Sequence, residues 1–333
     1  MMQGQYYLIL LLSLLLTLGA FPYVITILRR YKIGQYIQDD GPKHADKSQT
    51  PTCAGVVVIF LLNVLLCICG AFRSWELVVV DLVFIGFMSV GLIDDLAKLF
   101  YQDNNKGLSP RMKMVLQTCL SVIALVGIRA LQLPQLTELH FPMGSGTYWI
   151  FDLGWLYYPF AVFAILGSTN AYNLTDGLDG LAGGLSVFIA CGLLVLLSLG
   201  QTVSLSSVVQ EDFMTLLVII IGVLVGFLCF NSYPASIFLG DSGSLSLGAG
   251  FVCVAIMAKA EVIFALMSGV FIIETLSVIA QVVYFKRTGG QRLFKMAPLH
   301  HHFELSGYKE PKIVFSFWIL GLIFLLMSIC LLV

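Results

Sequence analysis

Asn170-Ala-Tyr-Asn-Leu-Thr-Asp-Gly-Leu-Asp-Gly-Leu-Ala-Gly-Gly184 stands between two apolar runs, 150–170 and 179–199, each long enough to cross a bilayer. The stretch collects Asn170, Asn173, Thr175, Asp176 and Asp179 where the apolar sequence gives way. Ionisable groups at a membrane boundary are costly to keep, so such a cluster marks a functional site by default. The bland alternative is a polar turn with a helix cap, because Asn, Asp, Thr and Gly all favour caps. A cap needs one such residue, and five are present. Asp176 and Asp179 are three apart, which on a helix puts both carboxylates on one face.

Working outward, 59% of the 333 residues are hydrophobic and 11% are charged. A soluble domain carries about 25% charged residues, so the expected fold is an all-α integral membrane protein. A net charge of −1 gives no electrostatic case for nucleic acid, and none is expected as a partner. The eight cysteines lie in or beside apolar runs without metal-type spacing, which reads as small buried hydrophobes.

About ten runs are long enough to span: 5–28, 53–72, 77–97, 114–133, 150–170, 179–199, 213–231, 237–258, 261–285 and 313–333. No long soluble insertion interrupts them, so residues 1–333 are expected to form a single polytopic domain. The run from Tyr6 to Ile27 is too long for a signal peptide's apolar core and has no basic region before it, so it should remain as the first span. Lys and Arg gather in alternate loops: Arg29, Arg30, Lys32, Lys43 and Lys47; then Lys98, Lys106, Arg111 and Lys113; then Lys286, Arg287, Arg292, Lys295, Lys309 and Lys312. The other side keeps only Arg73, Arg129 and Lys259. That asymmetry places both termini outside and the basic loops, with the opening cluster, in the cytoplasm. On the outer side, Leu133–Trp149 carries Pro134, Pro142, Gly144 and Gly146, which suits a short β-hairpin or a plain loop. His140 within it reads as a solvated loop histidine.

The remaining polar motifs fall on the same cytoplasmic side. Lys47 precedes Pro51 on a loop before the second span, and alone it reads as one more positive-inside lysine. Gly91-Leu-Ile-Asp-Asp-Leu-Ala-Lys98 ends the third span, with Asp94 and Lys98 on one helical face. Adjacent Asp94 and Asp95 repel unless a cation sits between them, and Mg²⁺ takes one or two carboxylates plus phosphate oxygens. Asn231 and Pro234 end the seventh span, and Phe238-Leu-Gly-Asp-Ser-Gly-Ser244 opens the eighth. Asp241 there would cap a helix or hold a metal, and Phe238 would pack or stack on a planar base. In the ninth span Glu274, Ser277 and Gln281 form one polar stripe, open to interhelical bonding or substrate contact. The last loop carries Pro298-Leu-His-His-His-Phe-Glu304. Three consecutive side chains do not converge easily on one zinc ion, and imidazoles among basic residues suit a pyrophosphate. These features point to Mg²⁺-dependent chemistry on a phosphorylated substrate with a lipid partner.

In Thr50-Pro-Thr52, Asp94-Asp95 with Lys98, Asn170–Gly184, Phe238–Ser244, Glu274–Gln281 and Pro298–Glu304, the chain resembles the polyprenyl-phosphate N-acetylhexosamine-1-phosphate transferase superfamily, glycosyltransferase family 4. The triple histidine is most similar to the branch that makes lipid I. Cys53-Ala54, Leu96, Tyr172 and Ser242 depart from the usual pattern without removing a charged group. The resemblance implies that undecaprenyl phosphate attacks the β-phosphate of UDP-N-acetylmuramoyl-pentapeptide with Mg²⁺, giving lipid I and UMP. It implies Asp241 as the Mg²⁺ ligand and Asp94, with Asp95 beside it, at the lipid phosphate. Lys47, Lys98, Asn173, Asp176, Asp179, Asn231, Phe238 and Gln281 would line the nucleotide-sugar site. His300, counted with the catalytic groups, would hold the diphosphate together with His301 and His302. Direct attack and a phospho-aspartyl intermediate on Asp94 or Asp95 both stay open. The implied setting is the bacterial inner (plasma) membrane, with a homodimer suggested. Two other readings remain: a sister transferase using UDP-N-acetylglucosamine, and an ion-coupled transporter, which would not need its carboxylates confined to one face.

Overall fold

The computed structural model describes residues 2–31, 34, 50–101, 106–133, 135–144, 146–200 and 205–333. Lys47 lies outside the described residues. The long helices are α1 (Met2–Arg30), α2 (Ala54–Ile68), α3 (Trp75–Tyr101), α4 (Pro110–Ala130), α5 (Tyr157–Thr175), α6 (Leu181–Ser198), α7 (Ser207–Asn231), α8 (Gly240–Met257), α10 (Gly269–Arg287) and α12 (Glu310–Leu332). Two short helices, α9 (Glu261–Met267) and α11 (Leu299–Glu304), and an antiparallel hairpin, β1 (Glu138–Pro142) with β2 (Tyr148–Asp152), complete it. Eight of the helices are long and apolar enough to cross a membrane, so the chain is a helical, multi-pass membrane protein.

Three expected spans take a different form. The run 150–170 begins as strand β2, and α5 starts only at Tyr157, because Tyr148–Asp152 pairs with Glu138–Pro142. The run 261–285 is broken at Ser268 into α9 and α10. The run 53–72 forms a helix of only 15 residues, α2, shorter than a perpendicular crossing needs.

Helix α8 is the axis. Nearly every residue on it is buried, and α2, α3, α5 and α6 all pack against it. Its small residues make this possible. A Cβ on Gly55 would collide with the backbone of Gly243, one on Gly91 with Asp241, and one on Gly250 with the Phe84 ring. Lipid gives helices little hydrophobic reason to associate, so close backbone approach and interhelical hydrogen bonds hold them together. Ser246 Oγ donates to Phe84 O at 2.8 Å, Ser168 Oγ to Gly248 O at 2.7 Å, and Asn170 Nδ2 to Gln117 Oε1 at 2.8 Å. Asn170 therefore ties α5 to α4.

Local signals set the helix ends. Ser109 caps α4 by accepting from Met112 N at 3.2 Å, with Pro110 at the first helical position. Gly180 starts α6 at φ 80°, a left-handed conformation in which a side chain would be strained. At the hairpin end, Arg73 pins the α2–α3 turn to α7 by bonding Asp212 at 2.7 Å and Glu211 at 3.0 Å.

Candidate active site

The carboxylates converge where α3, α4, α5 and α8 meet. Asp94 and Lys98 lie one helical turn apart on α3, as their spacing requires, and their charged atoms are 2.7 Å apart. Lys98 Nζ also reaches Asp241 Oδ2, in the first turn of α8, at 2.9 Å. Lys113 Nζ, from α4, touches the same two oxygens, Asp241 Oδ2 at 2.6 Å and Asp94 Oδ2 at 3.3 Å. Two carboxylate oxygens and two ammonium groups thus form a closed four-charge ring. Asn173 on α5 completes one side, donating to Asp241 Oδ1 at 2.7 Å and to Ser244 Oγ at 3.1 Å. Leu108 N closes the other, donating to Asp94 Oδ1 at 2.6 Å.

Asp95 does different work. Its oxygens accept the backbone N–H groups of Asp241 and Ser242, each at 3.1 Å, so it caps the N-terminus of α8 from a neighbouring helix. The carboxylate is buried and both its oxygens are engaged.

The α5–α6 turn is not helical at 176–180, so Asp176 and Asp179 do not share a helix face. Asp176 follows the last residue of α5. Loss of water raises its pKa well above the ordinary carboxylate value, and the negative Asp241, Asp95 and Asp179 push it the same way. Asp179 is buried; its Oδ2 accepts from Ala235 N at 2.9 Å, and its own N–H donates to Glu310 Oε1 at 2.8 Å. Asn231 Oδ1 accepts from Gly180 N at 3.1 Å while its Nδ2 donates to Ile237 O at 2.9 Å. Together these bonds lock the loop at 176–180 against the loop at 232–237. Phe238 is half-buried, and its backbone pairs with Pro51 and Ala54, which brings the end of the Lys47 loop beside α8.

The three histidines take different partners, with the His300 and His301 ring centroids 4.2 Å apart. His300 is fully buried, its Nδ1 3.5 Å from Glu274 Oε1, and its Nε2, without a hydrogen-bond partner among the described residues, packs so closely on Gly177 that a Cβ there would overlap it. Burial lowers its pKa below the ordinary histidine value, and nearby Glu274 only partly offsets that. Glu274 accepts the N–H groups of Leu299 at 2.6 Å and His300 at 3.2 Å, so this buried acid holds the start of α11. His301 Nδ1 meets Glu304 Oε2 at 2.8 Å, and His302 Nδ1 accepts from Lys295 N at 3.1 Å. Gln281 Oε1 accepts from Phe294 N at 2.8 Å and braces the same loop.

Sequence reasoning missed Lys113 and Glu310 as site residues. Lys113 read only as loop charge, yet a signal existed: Lys113, Gln117, Ser121, Ala124 and Ile128 fall on one helical stripe, and the last four are buried. Glu310 sits next to Pro311 at a helix start and gave no such signal.

Comparison with known proteins now decides the family. The family model for glycosyl transferase family 4 matches residues 77–259. The chain is 40% identical to the phospho-N-acetylmuramoyl-pentapeptide-transferase of Halalkalibacterium halodurans, over 99% of this chain and 98% of the relative. It is 41% identical to the protein of the same name from Geobacillus thermodenitrificans, over 95% of this chain and 94% of the relative. For the one from Bacillus subtilis the figures are 39%, 96% and 95%. The chain belongs to glycosyl transferase family 4.

As a member of that family it is a membrane-embedded transferase, and its charges suit phosphate chemistry. Among the described residues no three His, Cys, Asp or Glu side chains form a ready metal cage. Mg²⁺ needs no such cage, because it binds through one or two carboxylates, waters and substrate phosphates. Asp94 and Asp241 offer that hard-oxygen pair, and two ammonium groups already sit where positive charge is favoured. Among the described residues Asp95 and Asp176 add acid to a site with two lysines, so the donor set fits a divalent cation.

Proposed function

We propose that this chain transfers phospho-N-acetylmuramoyl-pentapeptide from UDP-N-acetylmuramoyl-pentapeptide to undecaprenyl phosphate, giving lipid I and UMP. The observation that carries the reading is the Asp94–Lys98–Lys113–Asp241 ring in a chain about 40% identical, end to end, to relatives bearing that activity's name. An oxygen of the lipid phosphate forms a bond to the β-phosphorus while the bond from that phosphorus to the UMP oxygen breaks. Phosphoryl transfer asks a protein chiefly for positioning and for neutralisation of charge on the oxygens. Lys98 and Lys113 do this by releasing Asp94 and Asp241 and turning their N–H groups to phosphate. Asp94 orients the attacking lipid phosphate. Asp95 keeps α8, and with it Asp241, in register. Attack is direct in this reading, because Asp95 would have to give up two hydrogen bonds from backbone N–H groups to act as a nucleophile, and Asp94 one from Leu108 N besides its pairs with Lys98 and Lys113. Asp241 and Asp94 would hold Mg²⁺, which when bound would supply charge stabilisation for the departing UMP. Asn173, Asp176, Asp179, Asn231, Phe238, Gln281, His301 and His302 frame the nucleotide-sugar side, with His300 packed on Gly177, and Lys47, outside the described residues, would serve the same substrate. The helices run as ten spans, α2 and α5 included, with both termini outside and the site facing the cytoplasm of a bacterium.

The test is UMP release by purified protein in detergent with Mg²⁺, undecaprenyl phosphate and either UDP-N-acetylmuramoyl-pentapeptide or UDP-N-acetylglucosamine. Release with the pentapeptide substrate alone, abolished in Asp241→Ala and by a chelator, is expected. Release with the plain sugar would overturn the substrate assignment, and release untouched by Asp241→Ala would overturn the site.

A further inference from the structure

The hairpin buries β1 and turns β2 outward. Its register places Leu139 opposite Phe151 and Phe141 opposite Trp149 on one face, with Glu138 opposite Asp152 and His140 opposite Ile150 on the other. A sheet that lies on a protein and faces water normally turns its apolar face inward. Here both faces of β1 are shut in, Leu139 at 8% exposed and His140 at 2% exposed and bonded to Glu138 at 3.1 Å, instead of the solvated loop histidine expected from sequence, while β2 leaves Ile150 48% exposed. The outward half is aromatic: Trp149 is 61% exposed and Phe151 49%. Their rings continue a ladder from Phe141, with centroids 5.4 Å and then 6.3 Å apart.

The hairpin cannot swing away from the bundle to hide this face. Lys259 Nζ donates to Leu136 O at 2.9 Å and pairs with Glu261 Oε1 at 2.9 Å, and α9 packs on β1. Burial lowers the Lys259 pKa from its ordinary value, and Glu261 pulls it back. The chain enters the hairpin from the end of α4 at Ala130 and leaves it into α5 at Tyr157, which fixes its level at the mouth of the bundle. Two more open tryptophans mark that level, Trp75 at the first residue of α3 and Trp155 just before α5, 74% and 75% exposed. Tryptophan gathers where a bilayer meets water, because its ring is apolar and its N–H is polar.

We infer that the Phe141–Trp149–Phe151 face of the hairpin is a lipid-docking surface, seated in the headgroup–acyl boundary at the end of the bundle opposite the carboxylates. The occupant is the bilayer because the aromatic face continues the belt set by Trp75 and Trp155, and because its exposed ring face carries no charge to meet a polar partner. The docked hairpin would brace α9, which packs on β1, and through it the break before α10.

The test reconstitutes two variants into vesicles, Trp75→Phe/Trp155→Phe and the same chain with Trp149→Phe added. Trp318 remains in both, so their difference spectrum reports Trp149 alone. Circular dichroism and gel filtration confirm folding without reference to enzyme activity. Lipid brominated high on the acyl chain should quench the Trp149 difference signal at least about twofold more than aqueous iodide does, as for a ring roughly 5–10 Å into the boundary. Strong iodide quenching with no effect of bromolipid would put the face in water and overturn the inference. Protection from both quenchers would mean that protein, such as a second copy of the chain, covers the face, and would overturn it equally.

Discussion

Replacing Lys113 with methionine should stop the reaction far more than it loosens the fold. Lys113 Nζ lies 2.6 Å from Asp241 Oδ2 and 3.3 Å from Asp94 Oδ2, and Lys98 Nζ reaches the same oxygens at 2.9 and 2.7 Å. Methionine keeps most of the stem's volume and removes the charge. The Lys113 and Asp241 side chains are 17% and 14% exposed, so water and Lys98 screen part of the loss. The stability cost should therefore lie near ~1 kcal/mol, the upper end for exposed pairs, and not the ~3–5 kcal/mol of a sealed one. In the transferring state the same ammonium faces phosphoryl oxygens gaining charge. Withdrawing one such preorganised donor costs about 10²–10³ in kcat, roughly 2.7–4 kcal/mol. Lys98→Met should fall in the same range. Both lysines serve one pair of oxygens, so the double variant should lie within about tenfold of the weaker single instead of at the product of the two losses. The assay is the initial rate of UMP release with both substrates saturating, beside thermal unfolding in detergent. A Lys113→Met rate within about threefold of the parent would refute the reasoning, as would a change in KM alone.

Gly177→Ala puts a Cβ into the ring of His300, a fully buried side chain whose Nδ1 lies 3.5 Å from Glu274 Oε1. It should cost about 1–3 kcal/mol by overpacking, read as a lower unfolding temperature, together with lost UMP release; an unchanged melt would show that the turn yields freely. The pH dependence of stability carries a definite sign. His300 binds its proton less readily folded than unfolded, so its contribution is full above the unfolded value of about 6.5 and is lost as pH falls from there toward the lowered folded value. Asp176, whose pKa is raised, works the other way and relieves the fold on acidification. The diagnostic quantity is therefore a difference: His300→Gln should lose less unfolding temperature between neutral and mildly acid pH than the parent does. Equal losses would mean that His300 does not titrate in that window.

How much could be read from the chain alone depended on whether a residue's role was local. Asp94 with Lys98, the apolar runs and the hairpin follow from spacing within one segment, and the structure keeps the pair, most of the runs as helices, and a hairpin that runs on to Asp152. The Ser268 break and the late start of α5 escaped because continuous apolar sequence satisfies a strand, a turn and a helix equally well. The roles of Asp95 and Glu274 escaped for a different reason. Each acid serves backbone N–H groups of another element, and nothing in its own segment says which N–H groups lack partners. Asp95 stands next to Asp94 in sequence, and the pair invites a reading as twin ligands. Helical phase turns them apart, one toward the lysines and one toward the end of α8. The same division runs through the loop at 176–180, where Asp176 sits near the charge ring while Asp179 is spent on Ala235. In each pair, then, one acid lies in or near the four-charge ring, Asp94 in it and Asp176 close enough to feel Asp241, while its neighbour holds backbone N–H groups beside that ring. A charge-removing substitution should accordingly separate the two kinds: loss of rate with the fold intact at Asp94 and Asp241, loss of the fold's local order first at Asp95 and Asp179.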